Sequence, residues 1–244
     1  MCPHNLAKNN APLRALEPGL VVDVGSFDAR DAVQYAKAGH QVLTIEPSPG
    51  KWDFIQQQIR AANFEGKISL LKLAMSNTTG TAPFVVNRAG KVGQKRFKGL
   101  GSAQDGLGAA LQKLDNYSAA TVEVQVRTLD EVVPASREVL YLKVDAQGYD
   151  YQVLMGAKKL LSQKRIRQLV FELMPLHMPG GSDSVVGVFD YMDRMGYDCG
   201  RCVTSHEGGI AARDLGEMLS DARKGHWLRG VNYGRWEDVL CVVK

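Results

Sequence analysis

The sequence predicts an α/β fold in which a mostly parallel sheet carries helices on both faces within a single domain. Two features carry that reading. Between residues 20 and 175, short apolar runs alternate with stretches of helical period, and a helix that returns the chain to the same sheet does so between parallel strands. The runs also end on acidic or glycine-bearing turns, at Asp23–Asp28, Glu46, Asp145 and Glu172. In open α/β sheets, ligands bind beyond such carboxyl ends, where the strand order reverses.

Leu20-Val21-Val22-Asp23-Val24 reads as a buried strand running into a turn at Gly25. Ala29–Ala38 follows as a helix, with Ala29, Ala32, Val33 and Ala36 on one face and Gly39 as its stop. Asp28 is placed to cap it, because its carboxylate can accept the free N–H groups of the first turn. Gln41–Ile45 is the second strand, and Lys51–Ala62 a helix with Trp52, Ile55, Ile59 and Ala62 along one stripe. Ile68–Ala74 reads as a third strand, Asn77-Thr78-Thr79-Gly80 as a turn and Ala82–Val86 as a return strand.

Residues 87–120 lack periodicity and are rich in Gly, Lys and Ser, as expected of a mobile substrate loop. Val122–Val126 and Val139–Val144 are strands, the second ending at Asp145. One helix is expected from Asp150 to Leu161, burying Val153, Leu154, Ala157, Leu160 and Leu161. Arg167–Phe171 then forms a strand that ends at Glu172, and Asp183 or Ser184 caps a helix that runs to Met195 and stops at Gly196. Tyr197–Val203 and Val239–Val243 are the last strands, separated by a short helix near Leu215–Ala222. Residues 1–19 read as an N-terminal extension and 20–244 as the domain.

A composition of 45% hydrophobic and 23% charged residues is that of a soluble globular protein. The net charge of +4 lacks the concentrated footprint of a dedicated nucleic-acid binder. No window approaches the roughly 18 apolar residues of a membrane span, and Pro3, Lys8, Pro12, Arg14 and Pro18 interrupt any signal peptide. A cytoplasmic protein is therefore expected. Cys199-Gly-Arg-Cys202 has no second ligand pair of the kind zinc requires, so no metal site is expected. In a reducing compartment these cysteines are read as two thiols around a turn.

The first turn narrows the ligand. A dinucleotide site wants Gly-x-Gly-x-x-Gly with pyrophosphate at the helix N-terminus. Here Phe27 stands at the second glycine position, and the carboxylates of Asp23 and Asp28 repel pyrophosphate. A nicotinamide oxidoreductase is thereby disfavoured. S-adenosylmethionine has no phosphates and carries a sulfonium and an ammonium, which acidic residues around a close backbone turn favour. Glu46, at the end of the second strand, can accept the ribose hydroxyls, a position shared with NAD sites. The expected donor site comprises Asp23, Gly25, Ser26, Phe27, Asp28, Glu46, Pro47, Ala74, Met75, Ser76 and Asp145.

From about Val21 to Leu173 the residues resemble the FkbM-type methyltransferase family. Asp23-Val-Gly25-Ser-Phe-Asp28-Ala is similar to its Asp-x-Gly-Ala-x-Asp-Gly, Ile45-Glu46-Pro47 to its Phe-Glu-Pro, and Leu73-Ala74-Met75-Ser76 to its Ala-Leu-Ser. Arg127-Thr128-Leu129-Asp130 resembles its Thr-Leu-Asp. Leu142-Lys143-Val144-Asp145-Ala146-Gln147-Gly148-Tyr149-Asp150, followed by Val153-Leu154-Met155-Gly156-Ala157, resembles its most specific block. The chain departs from the family at Ala29, where Gly is usual, and at Asp150, where Glu is usual. The resemblance implies a class I methyltransferase (Rossmann-like) fold with a seven-stranded sheet and, most often, O-methylation of a sugar or another small hydroxylated metabolite.

Asp145 is the first candidate for contact with donor and acceptor. Lys143, two residues earlier, points to the same face of a straight strand and either orients the acceptor or serves as counter-charge. Glu172 and His177 follow the next strand as acceptor-side candidates, a histidine's ordinary pKa of about 6.5 suiting a base. Lys91, Lys95, Arg96 and Lys98 are read as a solvated face or as a clamp for an anionic acceptor such as a phosphorylated sugar or nucleic acid. The alternatives are therefore an RNA methyltransferase and a non-catalytic donor-binding protein of the same fold.

Overall fold

The computed structural model describes residues 17–87, 106–107, 119–173, 182–201 and 237–244. In chain order the first elements are β1 (Leu20–Val24), α1 (Arg30–Lys37), β2 (Gln41–Ile45), α2 (Pro49–Ala61), β3 (Ile68–Leu71), β4 (Ala74–Met75), β5 (Gly80–Asn87) and β6 (Gly106–Leu107). Then come β7 (Ala119–Arg127), α3 (Leu129–Val132), β8 (Val139–Val144), α4 (Asp150–Met155), α5 (Lys158–Ser162) and β9 (Ile166–Leu173). The last three are α6 (Ser182–Arg194), β10 (Tyr197–Arg201) and β11 (Glu237–Val243).

Seven strands form the principal sheet in the order β10-β11-β9-β8-β1-β2-β3. All neighbours pair in parallel except β11, which is antiparallel to both β9 and β10. From β1 the chain winds outward through β2 and β3, then returns to β1's other side as β8. The order thus reverses between β1 and β8, and their carboxyl ends open the crevice that holds a ligand in such sheets.

Alternate residues of the strands supply two cores. On one face Val21, Val42, Tyr141 and Val170 pack with Ala32, Tyr35, Ala36, Ile55 and Ile59 of α1 and α2. On the other, Val22, Val24, Leu142, Val144, Leu169 and Phe171 pack with Val153, Leu154, Leu160, Leu161, Val188 and Phe189. Each such Val, Leu, Ile or Phe stabilises the fold by roughly 1.5–3 kcal/mol relative to an exposed one.

Several expectations shift. The third strand ends at Leu71, and Ala74–Met75 instead joins a second, four-stranded sheet of order β4-β7-β5-β6. Gly106–Leu107 and the start of β7 at Ala119 give strand pairing to parts of the expected 87–120 loop; its remaining residues lie outside those described. The helix expected over 150–161 is two. Its break falls at Gly156, where a Cβ would lie 2.0 Å from the Ser76 carbonyl oxygen, and Asp130 caps the restart by accepting the N–H groups of Lys159 and Leu160 at 2.8 and 3.0 Å. Helix α6 begins at Ser182, so Asp183 and Ser184 lie inside its first turn. Cys199 is not a thiol here: it faces Cys241 across β10 and β11 and is bonded to it. Residues 1–16, Cys202 and the helix expected near Leu215–Ala222 lie outside the described residues. No helix among the described residues is long and apolar enough to cross a membrane.

Candidate active site

The carboxyl ends of β1, β2, β8 and β9 meet at the switch point. Val24 accepts the N–H of Asp145 at 3.0 Å, and the N–H groups of Gly25 and Ser26 both reach the Ile45 carbonyl, at 2.9 and 3.1 Å. Gly25 has φ of 83°, and a Cβ there would lie 2.0 Å from the Asp145 carbonyl oxygen. The glycine therefore serves first to let the ends of β1 and β8 approach.

Phe27 and Ala29 are also left-handed, with φ of 55° and 62°, at about 1–2 kcal/mol each for a residue with a side chain. Glu46 holds Phe27 there. Its Oε2 accepts the Phe27 N–H at 2.9 Å, its Oε1 accepts the Ser48 N–H at 2.9 Å, and Lys51 stands 3.7 Å away. The Phe27 ring is 44% exposed, which sets it apart from every other large apolar side chain described. Asp28 accepts the N–H of Arg30 at 3.1 Å and pairs with its guanidinium at 2.5 Å. It thus satisfies the first turn as expected, although Ala29 occupies the N-cap position.

Asp23, Thr44 and Lys143 sit side by side on β1, β2 and β8. Asp23 is fully buried. Its Oδ2 accepts the Thr44 hydroxyl at 2.8 Å, while its Oδ1 has no hydrogen-bond partner among the described residues. Lys143 Nζ lies 3.6 Å from Asp23, 3.1 Å from Asp31 and 3.8 Å from Asp145. Burial pushes the Asp23 carboxyl up to about 6 despite the Lys143 charge and the Thr44 hydroxyl. Burial opposes the charge of Lys143, but Asp23, Asp145 and Asp31 outweigh it and hold its pKa above the ordinary lysine range. Lys143 is thus the counter-charge of three carboxylates.

Across the crevice, Gln147 and Gly148 are consecutive left-handed residues, with φ of 52° and 96°. The buried Asp150 fixes them. Its Oδ1 accepts the N–H groups of Ala146 and Glu172 at 3.4 and 3.2 Å, and its Oδ2 that of Gly148 at 3.2 Å. Gln147 Nε2 donates to Asp145 Oδ1 at 2.5 Å and to Glu172 Oε2 at 3.2 Å. Burial, then the Asp145 charge, pushes Asp150 up to about 8 and Glu172 up to about 9. Burial and the neighbouring carboxylates thus favour the protonated form of Glu172, while three N–H donors oppose the same shift at Asp150.

The other expected residues are more scattered. Pro47 follows Glu46 in the chain and is half-buried. Ala74 and Met75 are buried in β4, and Ser76 donates its N–H to the Arg127 carbonyl at 3.0 Å. His177, Lys91, Lys95, Arg96 and Lys98 lie outside the described residues. Among the described residues, no group of three or more His, Cys, Asp or Glu is arranged to hold a metal ion.

The model of the methyltransferase FkbM domain matches residues 23–199. The chain belongs to the FkbM methyltransferase family. The family and fold are those of S-adenosylmethionine-dependent methyltransferases. Similar solved structures show the same fold at low identity. A putative methyltransferase from Streptococcus mutans in complex with SAH has TM-score 0.51 and 9% identity, over 99% of this chain and 98% of that one. An rRNA methylase from Streptococcus thermophilus has TM-score 0.50 and 10% identity, over 99% and 94%. A putative rRNA-methylase from Clostridium thermocellum has TM-score 0.50 and 8% identity, over 98% and 96%. A search of curated proteins found no match.

This FkbM domain explains its own motif residues. Thr128 and Glu131 form a capping box on α3, Leu129 is fully buried, and Asp130 caps α5. Four polar residues of the site were missed from sequence. Asp31 looks like an ordinary acidic residue in a helix's first turn. Thr44 is visible only once β1 and β2 are aligned, which sets it opposite Asp23. Gln147 and Asp150 lie inside the recognised block, but nothing in that block says that one bridges two carboxyls and the other ties three N–H groups together.

Proposed function

We propose that this FkbM domain transfers a methyl group from S-adenosylmethionine to a hydroxyl of a sugar, glycan or other small hydroxylated metabolite. The observation that carries this is the pair Asp145 and Glu172, joined through Gln147 beside the acidic Asp23–Asp28 turn. The residues fit the donor: Asp23 Oδ1 and Ser26 Oγ are buried polar atoms without hydrogen-bond partners among the described residues, and Asp23, Asp31 and Asp145 outnumber the Lys143 cation beside them. In this reading Asp23 and the 25–28 turn face the donor's cationic end. Glu46 takes the ribose hydroxyls, and Pro47 and Ala74–Ser76 line the adenine side.

When bound, S-adenosylmethionine supplies an electrophilic methyl on a sulfonium. The domain's own residues do the remainder. Asp145, the more open carboxyl with a side chain 33% exposed, accepts the proton of the acceptor hydroxyl. Positioned bases contribute about 10²–10⁴-fold. Lys143 holds Asp145 in place by charge, and Glu172 donates to a second acceptor oxygen. Against RNA, the carboxyls of Asp23, Asp31 and Asp145 gather around one ammonium, that of Lys143, a local field that disfavours phosphate.

Transfer of label from [methyl-14C]S-adenosylmethionine into neutral glycans, lipids, small-molecule extracts and RNA tests the reading. Label in the neutral hydroxylated fraction is expected. Label confined to RNA would overturn it in favour of the RNA reading, and donor binding without any transfer would favour a non-catalytic protein. The Cys199–Cys241 bond is one that the reducing cytoplasm expected from the sequence disfavours; resistance of both cysteines to alkylation in freshly lysed cells would place the protein in an oxidising setting, and ready alkylation in the cytoplasm.

A further inference from the structure

We propose that Gln147 is a positioning residue for the acceptor hydroxyl: its amide holds the carboxyl groups of Asp145 and Glu172 side by side, so that both engage one acceptor. This rests on the methyltransferase reading above and adds a residue whose role is to hold the other two.

Three observations converge on Gln147. First, its single amide nitrogen reaches carboxyls at the ends of two different strands, Asp145 Oδ1 at 2.5 Å and Glu172 Oε2 at 3.2 Å. Second, its backbone is left-handed, φ 52°, in a residue with no local reason to be so; such outliers persist when the surroundings over-determine them, and they cluster at functional sites. Third, the loop that carries it is fixed at both ends. A Cβ at Gly25 would strike the Asp145 carbonyl oxygen at 2.0 Å, so Asp145 is seated against the donor turn. At the other end Asp150 ties Ala146, Gly148 and the start of Glu172 together through three N–H groups. A loop locked in this way leaves the Gln147 side chain as the joint between β8 and β9.

The neighbouring charges favour a donor there. The carboxyls facing Glu172 are Asp145, Asp150 and Asp238, with Lys143 the cation that opposes them. A glutamine amide can link two carboxyls without adding charge, and a glutamate cannot. The isosteric change Gln147→Glu therefore converts the joint into a third carboxyl, while Gln147→Met keeps the volume and removes the donor.

Three measurements on the full chain test this. Titration with S-adenosylhomocysteine comes first: if the wild type does not bind it, the methyltransferase reading fails, whatever the variants do. With that binding in place, both variants are expected to keep the same affinity within about threefold, because the Gln147 amide bonds to Asp145 and Glu172 and not to the Asp23–Asp28 turn or Glu46; a tenfold loss would move Gln147 to the donor side and overturn the proposal. Unfolding midpoints then decide adjacency without any acceptor. A like charge raises the folded-state pKa of the new carboxyl above its unfolded value, so its cost grows as pH rises. The Gln147→Glu deficit relative to wild type is expected to widen by at least about 3 °C between pH 5 and pH 9, that of Gln147→Met to stay constant. A pH-independent Gln147→Glu deficit would overturn the proposal. Where labelled acceptor is formed, Gln147→Met is expected to lose at least about tenfold in rate; full activity would overturn it as well.

Discussion

The two halves of the crevice solve the same problem, holding carboxylates at strand ends, in opposite ways. At β2, Glu46 is satisfied by the N–H groups of Phe27 and Ser48, and its charge is fixed in place before any ligand arrives. At β8 and β9, burial and the neighbouring carboxylates push Asp150 and Glu172 up, and the Gln147 amide bridges Glu172 to Asp145. The first arrangement suits recognition of a fixed cationic, hydroxyl-bearing donor. The second suits a group that must take up and release a proton. The two halves touch where Gly25 lies against the Asp145 carbonyl.

The comparison can be broken most forcefully at Asp145. Asp145→Asn is expected to lower the transfer rate by about 10²–10⁴-fold, measured by label incorporation. Glu172→Gln, which imitates the protonated acid, should cost about tenfold or less at pH 7. Equal losses would mean that both residues work as bases and that the halves do not differ as described.

Gly25→Ala strikes the junction itself. A Cβ at φ 83°, 2.0 Å from a backbone oxygen, combines strain of about 1–2 kcal/mol with overpacking of about 1–3 kcal/mol. Denaturant unfolding should show a loss of roughly 2–5 kcal/mol, and an unchanged midpoint would refute the close approach.

The halves should also answer differently to pH. Asp23 protonates near about 6, so affinity for S-adenosylhomocysteine should fall as pH drops through that value and become flat in Asp23→Asn. Glu172 is read through stability instead. Its folded pKa of about 9 lies above the unfolded one, so the native state binds the extra proton between the two. Stability therefore declines as pH rises from the ordinary carboxyl range through about 9, and Glu172→Gln should reduce that slope.

The smallest effect is expected at Ala29, left-handed at φ 62° where relatives of the family usually have glycine. Relief of about 1–2 kcal/mol of strain outweighs about 0.5–1 kcal/mol of added chain entropy. Ala29→Gly should stabilise by about 0.5 kcal/mol in equilibrium unfolding.

The same division marks what could be read from the chain. The placing of Asp23, Gly25, Asp28 and Glu46 at strand ends was legible because it is local: they lie in or directly after apolar runs, and the period-2 pattern says where the strands end. The principal sheet followed from strand–helix alternation, including the parallel strands and both covered faces. The second sheet did not, since β4 is only two residues long and pairs with β7 some fifty positions later. The split of the 150–161 helix depended on Ser76 reaching Gly156. The acceptor half depends on register and on turn conformation: Thr44 beside Asp23, Gln147 held left-handed, Asp150 collecting three N–H groups. None of these leaves a mark in periodicity.

Calorimetry with S-adenosylhomocysteine on the wild type, Glu46→Gln and Glu172→Gln tests the division most directly. Wild-type binding should weaken at least about tenfold in Glu46→Gln, the equivalent of about 1.4 kcal/mol, and stay within about threefold in Glu172→Gln. No binding by the wild type, or equal losses in the two variants, would contradict a donor half at β1–β2 distinct from an acceptor half at β8–β9.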